Sequence, residues 1–382
     1  MPAEKKLKIN IVIGPFYPIP PVRGLAVEKR QYAMALEYAK AGHEVTMISR
    51  QFEDFPSTEM KDGVRHIRIP SSDPPKVGLK YRVLDALYCL RVAAAMPRAD
   101  VTVTNSVAAP ILLPLSKAGK IAVSVGRFPK GQMSLYRRAA RLHAASNYIA
   151  QAIIKQSPKH TQKVHVVNNA IAHEFADAID QERGHRIPEI AYLGRVHPEK
   201  GIDILIRAFV ALAPRYKDWR LVLIGPSEVS QGGAGDAYFA ELKALAAPAG
   251  DRVTFVGPIY ESTKIIERLR RADIFVYPSV AEKGEAFGVA PVEAMACGCA
   301  PILSSLACFE DFALAGENSL IFDHRSNAEA NLADALEQLL GDADLRERLG
   351  RAAMETARRF TPQKISCAMI EDFRRLANDS TC

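Results

Sequence analysis

The sequence predicts an α/β protein built from two doubly wound halves, and three observations predict it. At 382 residues the chain is too long for one ordinary domain and suits two. Apolar runs of strand length alternate with stretches of helical period, the pattern of buried parallel strands joined by helices. The alternation breaks once, over the polar segment Ala172–Ile187, and then restarts. The expectation is two Rossmann-like domains facing each other across a cleft. The first covers residues 1–172 and the second 187–360, with residues 361–382 as a C-terminal helix returning to the first domain.

In the first half, Leu7–Gly14 is a continuous apolar run ending in Gly and reads as a strand. Glu28–Ala41 follows with Tyr32, Ala35, Leu36 and Ala39 on one helical face. His43–Arg50 and Val64–Pro70 read as strands, about Gly78–Ala95 as a helix, and Ala99–Asn105, Lys120–Gly126 and Val164–Asn168 as further strands. Ala172–Ile187 is read as the linker. In the second half, strands are predicted at Glu189–Gly194, Arg220–Gly225, Val253–Gly257, Asp273–Pro278 and Ala300–Ser304. Helices are predicted at Gly201–Leu212 and Asp236–Ala247, and after Asn327 the chain turns helical through Arg346–Phe360 and Ile365–Leu376, with Pro362 marking a start or kink.

Composition narrows the function classes. With 48% hydrophobic and 24% charged residues the chain is neither disordered nor collagen-like. No uncharged apolar run is long enough to cross a bilayer, and the run behind the basic N-terminus, Ile9–Gly14, is too short for a signal-peptide core. The six cysteines form no CxxC pair, and Cys297-Gly298-Cys299 fits two small buried residues better than zinc, so reduced thiols and a cytoplasmic location are expected. The net charge of +7 is uneven: residues 1–186 carry 28 Lys and Arg against 15 Asp and Glu, the remainder 22 against 28. A basic first half suits something anionic, such as a lipid surface, a phosphorylated acceptor or nucleic acid.

Three segments carry the chemistry. The stretch AEKGEAFGVAPVEAMACGCA, Ala281–Ala300, sets Glu285 and Glu293 eight residues apart around a Phe287-Gly288 turn. Glu285 is expected in a loop at the mouth of a sheet and Glu293 near the N-terminal end of the next helix, where acids and open backbone N–H groups suit a polyhydroxylated or anionic ligand. Two carboxylates can also act as a general acid/base pair; a helix-capping Glu293 and a solvated Glu285 are the plain alternative. Gly194-Arg195-Val196-His197-Pro198-Glu199-Lys200-Gly201 lies at a strand-to-helix junction, where ligands of open α/β sheets bind. Arg195 and Lys200 can there hold a diphosphate and meet its charge as it departs, or be solvated surface cations. Pro15–Glu28 has Gly24 just before a helix N-terminus but lacks GxGxxG, which disfavours a dinucleotide turn. Lys130–Arg141 groups Lys130, Arg137, Arg138 and Arg141 with Met133, Leu135 and Tyr136, and reads either as a helix lying on an anionic membrane or as a solvated helix face.

The segments GRVHPEKGIDILIRAF and GEAFGVAPVEAMACGCAPI, with AKAGHEVTMISR, VHVVNNAI and RVTFVGPI, resemble retaining glycosyltransferases of family 4, which have the GT-B architecture. The resemblance implies that Arg195 and Lys200 bind the donor diphosphate, Glu285 the donor-sugar hydroxyls and Glu293 the ribose hydroxyls. It also implies that the backbone N–H groups of Phe287 and Gly288 meet the sugar, that Gly257–Ile259 borders the base, and that Gly24 lies over the diphosphate. Glu285, Arg195 and Lys200 would be the catalytic set, with no metal. Three places depart from the family pattern: Gly24-Leu25 stands for Gly-Gly, Ser124-Val125-Gly126-Arg127 carries no His, and Ala307-Cys308-Phe309-Glu310 replaces a Gly-Gly segment.

The resulting expectation is a metal-independent glycosyltransferase with no cofactor beyond a nucleotide-sugar co-substrate. Its partners would be a UDP- or GDP-type donor and a hydroxyl acceptor, lipid-linked acceptors and anionic membrane contact suiting the basic first half; nucleic acid is not expected, since no aromatic-studded RNA motif or helix-turn-helix spacing is present. A nucleotide-sugar epimerase of the same two-domain plan is the alternative.

Overall fold

The computed structural model describes residues 5–21, 26–75, 78–181 and 184–378. The chain forms two compact units. Unit 1 runs to Ala170 and takes up the chain again from Pro362, and unit 2 is Ile171–Thr361.

Unit 1 has strands β1 (Lys8–Val12), β2 (Glu44–Arg50), β3 (Thr58–Lys61), β4 (Val64–Ile69), β5 (Val101–Thr104), β6 (Lys120–Val125), β7 (Arg141–Ala144) and β8 (Val164–Val166). They form one sheet in the order β3-β4-β2-β1-β5-β6-β7-β8, parallel throughout except for the antiparallel edge pair β3–β4. Its helices are α1 (Ala26–Lys40), α2 (Leu79–Ala95), the short α3 (Ala109–Leu112) and α4 (Leu115–Ala118), and α5 (Asn147–Gln156). Ser146 caps α5 by accepting the Ile149 N–H at 3.2 Å, which satisfies one of the orphan donors of the first turn.

Unit 2 has β9 (Ile187–Leu193), β10 (Arg220–Ile224), β11 (Val253–Gly257), β12 (Ala272–Tyr277), β13 (Ala300–Ser304) and β14 (Leu320–Phe322) in the order β11-β10-β9-β12-β13-β14, all parallel. This is the 3-2-1-4-5-6 order of a doubly wound sheet, and its direction of winding reverses between β9 and β12. Its helices are α6 (His173–Ala178), α7 (Ile202–Leu212), α8 (Asp236–Ala246), α9 (Ser262–Arg271), α10 (Val289–Ala296), α11 (Ala328–Gly341) and α12 (Ala343–Ala357). The last helix, α13 (Pro362–Asn378), belongs to unit 1. It packs on α1, where Met369, Ile370 and Phe373 join Met34, Tyr38 and the β1 residues Ile9 and Ile11 in one core. Both faces of β1 are covered beyond its exposed first residue, Lys8: Ile9, Asn10, Ile11 and Val12 are all buried, Asn10 by donating to the Pro97 carbonyl at 2.9 Å.

Several expectations need correction. The segment Ala172–Ile187 is not a free linker: α6 lies in it, with Phe175, Ala178 and Ile179 buried, and packs against α9 and α10 within unit 2. Unit 2 therefore starts at Ile171 rather than 187. Lys130–Arg141 forms no amphipathic helix. Gly131 takes a left-handed conformation, only Gln132–Leu135 make a 3₁₀ turn, and Arg141 already begins β7. Its cations are also partly committed, since Arg138 donates to the Ile111 and Leu113 carbonyls at 2.6 and 2.9 Å and Arg141 pairs with Asp372 at 3.0 Å. Three strands escaped the sequence reading: β3, which is polar and at an edge, β7, and the short β14.

Candidate functional site

The site is built where the order of the second sheet reverses. The chain leaves β9 at Leu193, passes through Gly194 and Arg195, makes a 3₁₀ turn over Pro198–Lys200 and enters α7 after Gly201. Gly201 has φ +63°, and a Cβ there would lie 2.2 Å from the Pro278 carbonyl oxygen, so this close crossing beside the end of β12 requires glycine. Gly225 is held as tightly, since a Cβ on it would lie 1.8 Å from the Gly194 oxygen. The loop after β12 is tied to the same turn: the Val280 N–H donates to the Glu199 carbonyl at 2.9 Å, and Ser279 Oγ lies 3.2 Å from the same oxygen.

These ties bring Lys200 and Glu285 together. Lys200 Nζ contacts Glu285 Oε1 in an ion pair whose two residues are 5% and 8% exposed. The same oxygen accepts Tyr277 OH at 2.8 Å and Ser279 Oγ–H at 3.2 Å. Ser279 is fixed in turn by Ser304, whose hydroxyl donates to its carbonyl at 2.6 Å. Burial first, and then the Glu285 charge, push the Tyr277 phenol well above its ordinary value, so its hydroxyl keeps its proton and donates. Tyr192 stacks on Tyr277 at 6.0 Å and 11°, and burial followed by Glu285 pushes its phenol up as well. A buried charge pair of this kind needs such extra hydrogen bonds to offset the cost of removing both ions from water.

Arg195 sits in the same turn but is more open. Its guanidinium donates to Glu199 Oε1 at 2.7 Å and to the Gly232 carbonyl at 2.8 Å, and its own carbonyl accepts Tyr192 OH at 3.0 Å. Phe287 is buried against Phe312 and Phe360, each 5.3 Å away, and anchors the loop that carries Glu285. Gly288 follows at φ +88°, where a Cβ would lie 2.6 Å from the Phe309 ring. Glu293 is the fifth residue of α10, in its second turn, and half-buried. Gly257 closes β11 at φ +80° and accepts the Gly225 N–H at 2.9 Å, and Ile259 lies two residues beyond it, half-buried. Of the nine candidate residues, Gly24 lies outside the described residues; the other eight belong to unit 2, with Gly257 the last residue of β11, Glu293 in the second turn of α10 and the remaining six in the loops and turns that follow β9, β11 and β12.

Tyr277, Ser279, Tyr192 and Ser304 were missed by sequence reasoning. A tyrosine at the end of an apolar strand and a serine in a loop have no periodicity; only their place at the carboxyl end of β12 could have drawn notice. The Ala307-Cys308-Phe309-Glu310 segment packs onto the site, with Cys308 buried and the Phe309 ring 5.9 Å from that of Tyr277. In unit 1, Ser124 of the His-lacking run accepts the Arg30 guanidinium at 2.8 Å, and Arg30 also donates to Asn169 Oδ1. Burial brings Arg30 down to about 10, still cationic at neutral pH. Among the described residues no three His, Cys, Asp or Glu side chains gather as a metal-binding group.

Residues 174–356 match the family described as glycosyl transferases group 1. The lipopolysaccharide core biosynthesis mannosyltransferase LpcC of Rhizobium leguminosarum bv. viciae is 28% identical over 225 residues, 58% of this chain and 61% of that one. The chain spans between a third and about three fifths of the length of the first curated relatives it matches. Among solved structures, sucrose-phosphate synthase from Thermosynechococcus elongatus superposes with a TM-score of 0.77 at 19% identity, covering 97% of this chain and 99% of that one. Anabaena HepE in complex with UDP and glucose superposes with a TM-score of 0.71 at 16% identity, covering 96% and 99%. The fold is α/β of the GT-B class, with a parallel doubly wound sheet in unit 2 and a nearly all-parallel one in unit 1.

Proposed function

We propose that this chain, whose residues 174–356 are a glycosyl transferases group 1 domain, moves a hexosyl group from a nucleoside-diphosphate sugar of the UDP or GDP type to a hydroxyl acceptor, with retention at the anomeric carbon. The observation that carries this reading is the buried Lys200–Glu285 pair at the reversal point of the second sheet, with Arg195 in the same turn. Donors of a doubly wound sheet bind at that crevice.

In this scheme Arg195 and Lys200 face the diphosphate and stabilise the charge that grows on it as the glycosidic bond breaks. No metal enters the scheme. Glu285 spends Oε1 on Lys200, Tyr277 and Ser279, and its Oε2 accepts from donor-sugar hydroxyls. Glu293 takes the ribose hydroxyls, the N–H groups of Phe287 and Gly288 meet the sugar, and Gly257–Ile259 borders the base. Retention follows if the acceptor hydroxyl attacks on the face the diphosphate leaves, giving its proton to a departing phosphate oxygen.

The acceptor belongs with unit 1, where the excess of basic residues suits a phosphorylated or lipid-linked molecule. A role in polysaccharide, glycolipid or glycoside assembly agrees with the mannosyltransferase relative, and a UDP donor with the UDP-bound HepE structure. The epimerase alternative draws no support from these relatives.

The test is a thermal-shift screen of UDP- and GDP-sugars against the full chain. A donor held at a hundred times its Kd stabilises the folded form by about 2.7 kcal/mol and raises Tm visibly. Flat curves with every nucleotide sugar at millimolar concentration would contradict the reading.

A further inference from the structure

A cavity of about 20 Å³ lies within unit 1, between its sheet and the helices α1 and α13. Its polar lining is Arg30 and Gln31 of α1, Ser124 of β6, His143 of β7 and Asn168 just beyond β8. Ser124 and His143 are register partners on adjacent parallel strands and so share one face of the sheet. Met34 and Met369 close the cavity with apolar side chains. The volume admits one water-sized particle and excludes a phosphate, a sugar or a nucleotide.

Two groups at this cavity are unmatched. Arg30 gives one terminal nitrogen to Ser124 Oγ at 2.8 Å and the other to Asn169 Oδ1, both neutral oxygens. It keeps its charge at neutral pH despite burial, and among the described residues no carboxylate forms an ion pair with it. Glu28, whose charge it feels, stands two positions back on α1, a spacing that points side chains to different sides. His143 is 3% exposed, and its Nδ1 is buried with no hydrogen-bond partner. Its Nε2 faces Asp372 Oδ2 at 2.9 Å. The charge of Asp372 is already met by Arg141 at 3.0 Å. An unpaired polar atom and a charge without a counter-charge are both costly away from water.

We propose that this cavity is a halide site that holds one chloride ion. The ion is the counter-charge of the Arg30 guanidinium. The Ser124 hydroxyl and the Gln31 and Asn168 amides are groups able to donate to it. His143 donates through Nδ1 with a proton on each ring nitrogen, its Nε2–H being held by Asp372. A water molecule would satisfy Nδ1 and leave the Arg30 charge unanswered, whereas an anion answers both. Bound there, chloride ties α1, α13 and the segment leaving β8 to the sheet, and so stabilises unit 1. The site takes part in no step of sugar transfer and stands or falls separately from the donor reading.

The experiment is thermal unfolding of the full chain as sodium chloride replaces sodium gluconate at constant ionic strength, gluconate being too large for the cavity. Tm is expected to rise by about 2–3 °C for each tenfold increase in chloride above its Kd. Bromide is expected to act like chloride. In Arg30→Met the chloride dependence is expected to vanish, and in Ser124→Ala to move to about tenfold higher chloride. As a check independent of these variants' folding, wild-type crystals soaked in sodium bromide are expected to show an anomalous peak within hydrogen-bonding reach of Arg30 and His143 Nδ1. The proposal is overturned by the absence of any unfolding transition that responds to the exchange of gluconate for chloride, by a folded Arg30→Met protein that keeps the response, or by a cavity with no anomalous peak, which would assign it to water.

Discussion

Lys200 and Glu285, 85 residues apart in the chain, meet as a buried ion pair at the point where the second sheet reverses its winding. One partner comes from the turn after β9 and the other from the loop after β12, so the pair fastens two loops as well as offering charge.

That dual role predicts a thermodynamic signature. Lys200→Met or Glu285→Gln alone leaves a buried group without its partner and is expected to destabilise the fold by roughly 3–5 kcal/mol. The double variant is expected to lose clearly less than the sum of the two. Urea unfolding of the four proteins measures this; additive losses would show that the two side chains are not coupled.

Tyr277 separates packing from catalysis. Tyr277→Phe removes one donor from Glu285 Oε1 and keeps the ring stacked between Tyr192 and Phe275. About 1 kcal/mol of stability is expected to go with the hydrogen bond. Turnover is expected to fall by about tenfold, since one of three groups fixing the carboxylate is lost. Because burial and Glu285 keep the phenol protonated well past its ordinary value, the shape of the pH–rate profile up to pH 10 is expected to be the same in both proteins. A limb near pH 10 present only in the wild type would contradict this.

Backbone geometry gives a sharper contrast. Gly201→Ala drives a methyl to 2.2 Å from the Pro278 oxygen at a left-handed φ, whereas Gly257→Ala has a similar φ and nothing within 4 Å. The first is expected to cost more than about 3 kcal/mol and to displace Lys200, the second only about 1 kcal/mol. Equal losses in thermal unfolding would show that the crossing at Pro278 is not tight.

Asp372 on α13 makes unit 1 acid-sensitive. It accepts His143 at 2.9 Å and Arg141 at 3.0 Å. Burial raises its carboxyl, but the hydrogen bonds and charges of His143 and Arg141 outweigh that and hold it down to about 2. A carboxyl depressed in the folded state contributes stability that is complete above its unfolded value near 4 and is lost as pH falls towards 2. The expected loss is roughly 1–2 kcal/mol after allowance for partial solvent screening. In Asp372→Asn this acid limb is expected to vanish, with lower stability at neutral pH; an unchanged limb would assign it elsewhere.

The parts of the molecule that the sequence disclosed are those where one pattern dominates. Strands β10, β12 and β13 are buried along almost their whole length and read as apolar runs, β1, β2 and β9 keep a buried apolar centre between a few polar residues, and the pair of acids around Phe287-Gly288 and the cations around Pro198 stand at fixed spacings. Strand β3 stayed hidden because its TEMK sequence lies on an edge and faces water. Strand β7 stayed hidden because His143 and Arg141 reach Asp372, over two hundred residues away, which no local window contains. The same limit hid Tyr277, Ser279 and Ser304, whose importance lies in which strand ends they share. The reading of Lys130–Arg141 as a helix followed charge spacing, whereas the chain makes a single 3₁₀ turn over Gln132–Leu135, leaves helical geometry at Tyr136 and enters β7 at Arg141.

The central claim is that Lys200, Arg195 and Glu285 hold and release a nucleoside diphosphate. Its most direct measurement is release of that diphosphate from the donor found by thermal shift, with acceptor, in excess EDTA, for wild type, Lys200→Ala, Arg195→Ala and Glu285→Ala. The account predicts undiminished wild-type turnover with the chelator and at least about a hundredfold lower kcat in Lys200→Ala and Glu285→Ala, with a smaller loss for the more exposed Arg195→Ala. Wild-type turnover that stops with EDTA, or folded Lys200→Ala and Glu285→Ala variants that turn over at the wild-type rate, would contradict it.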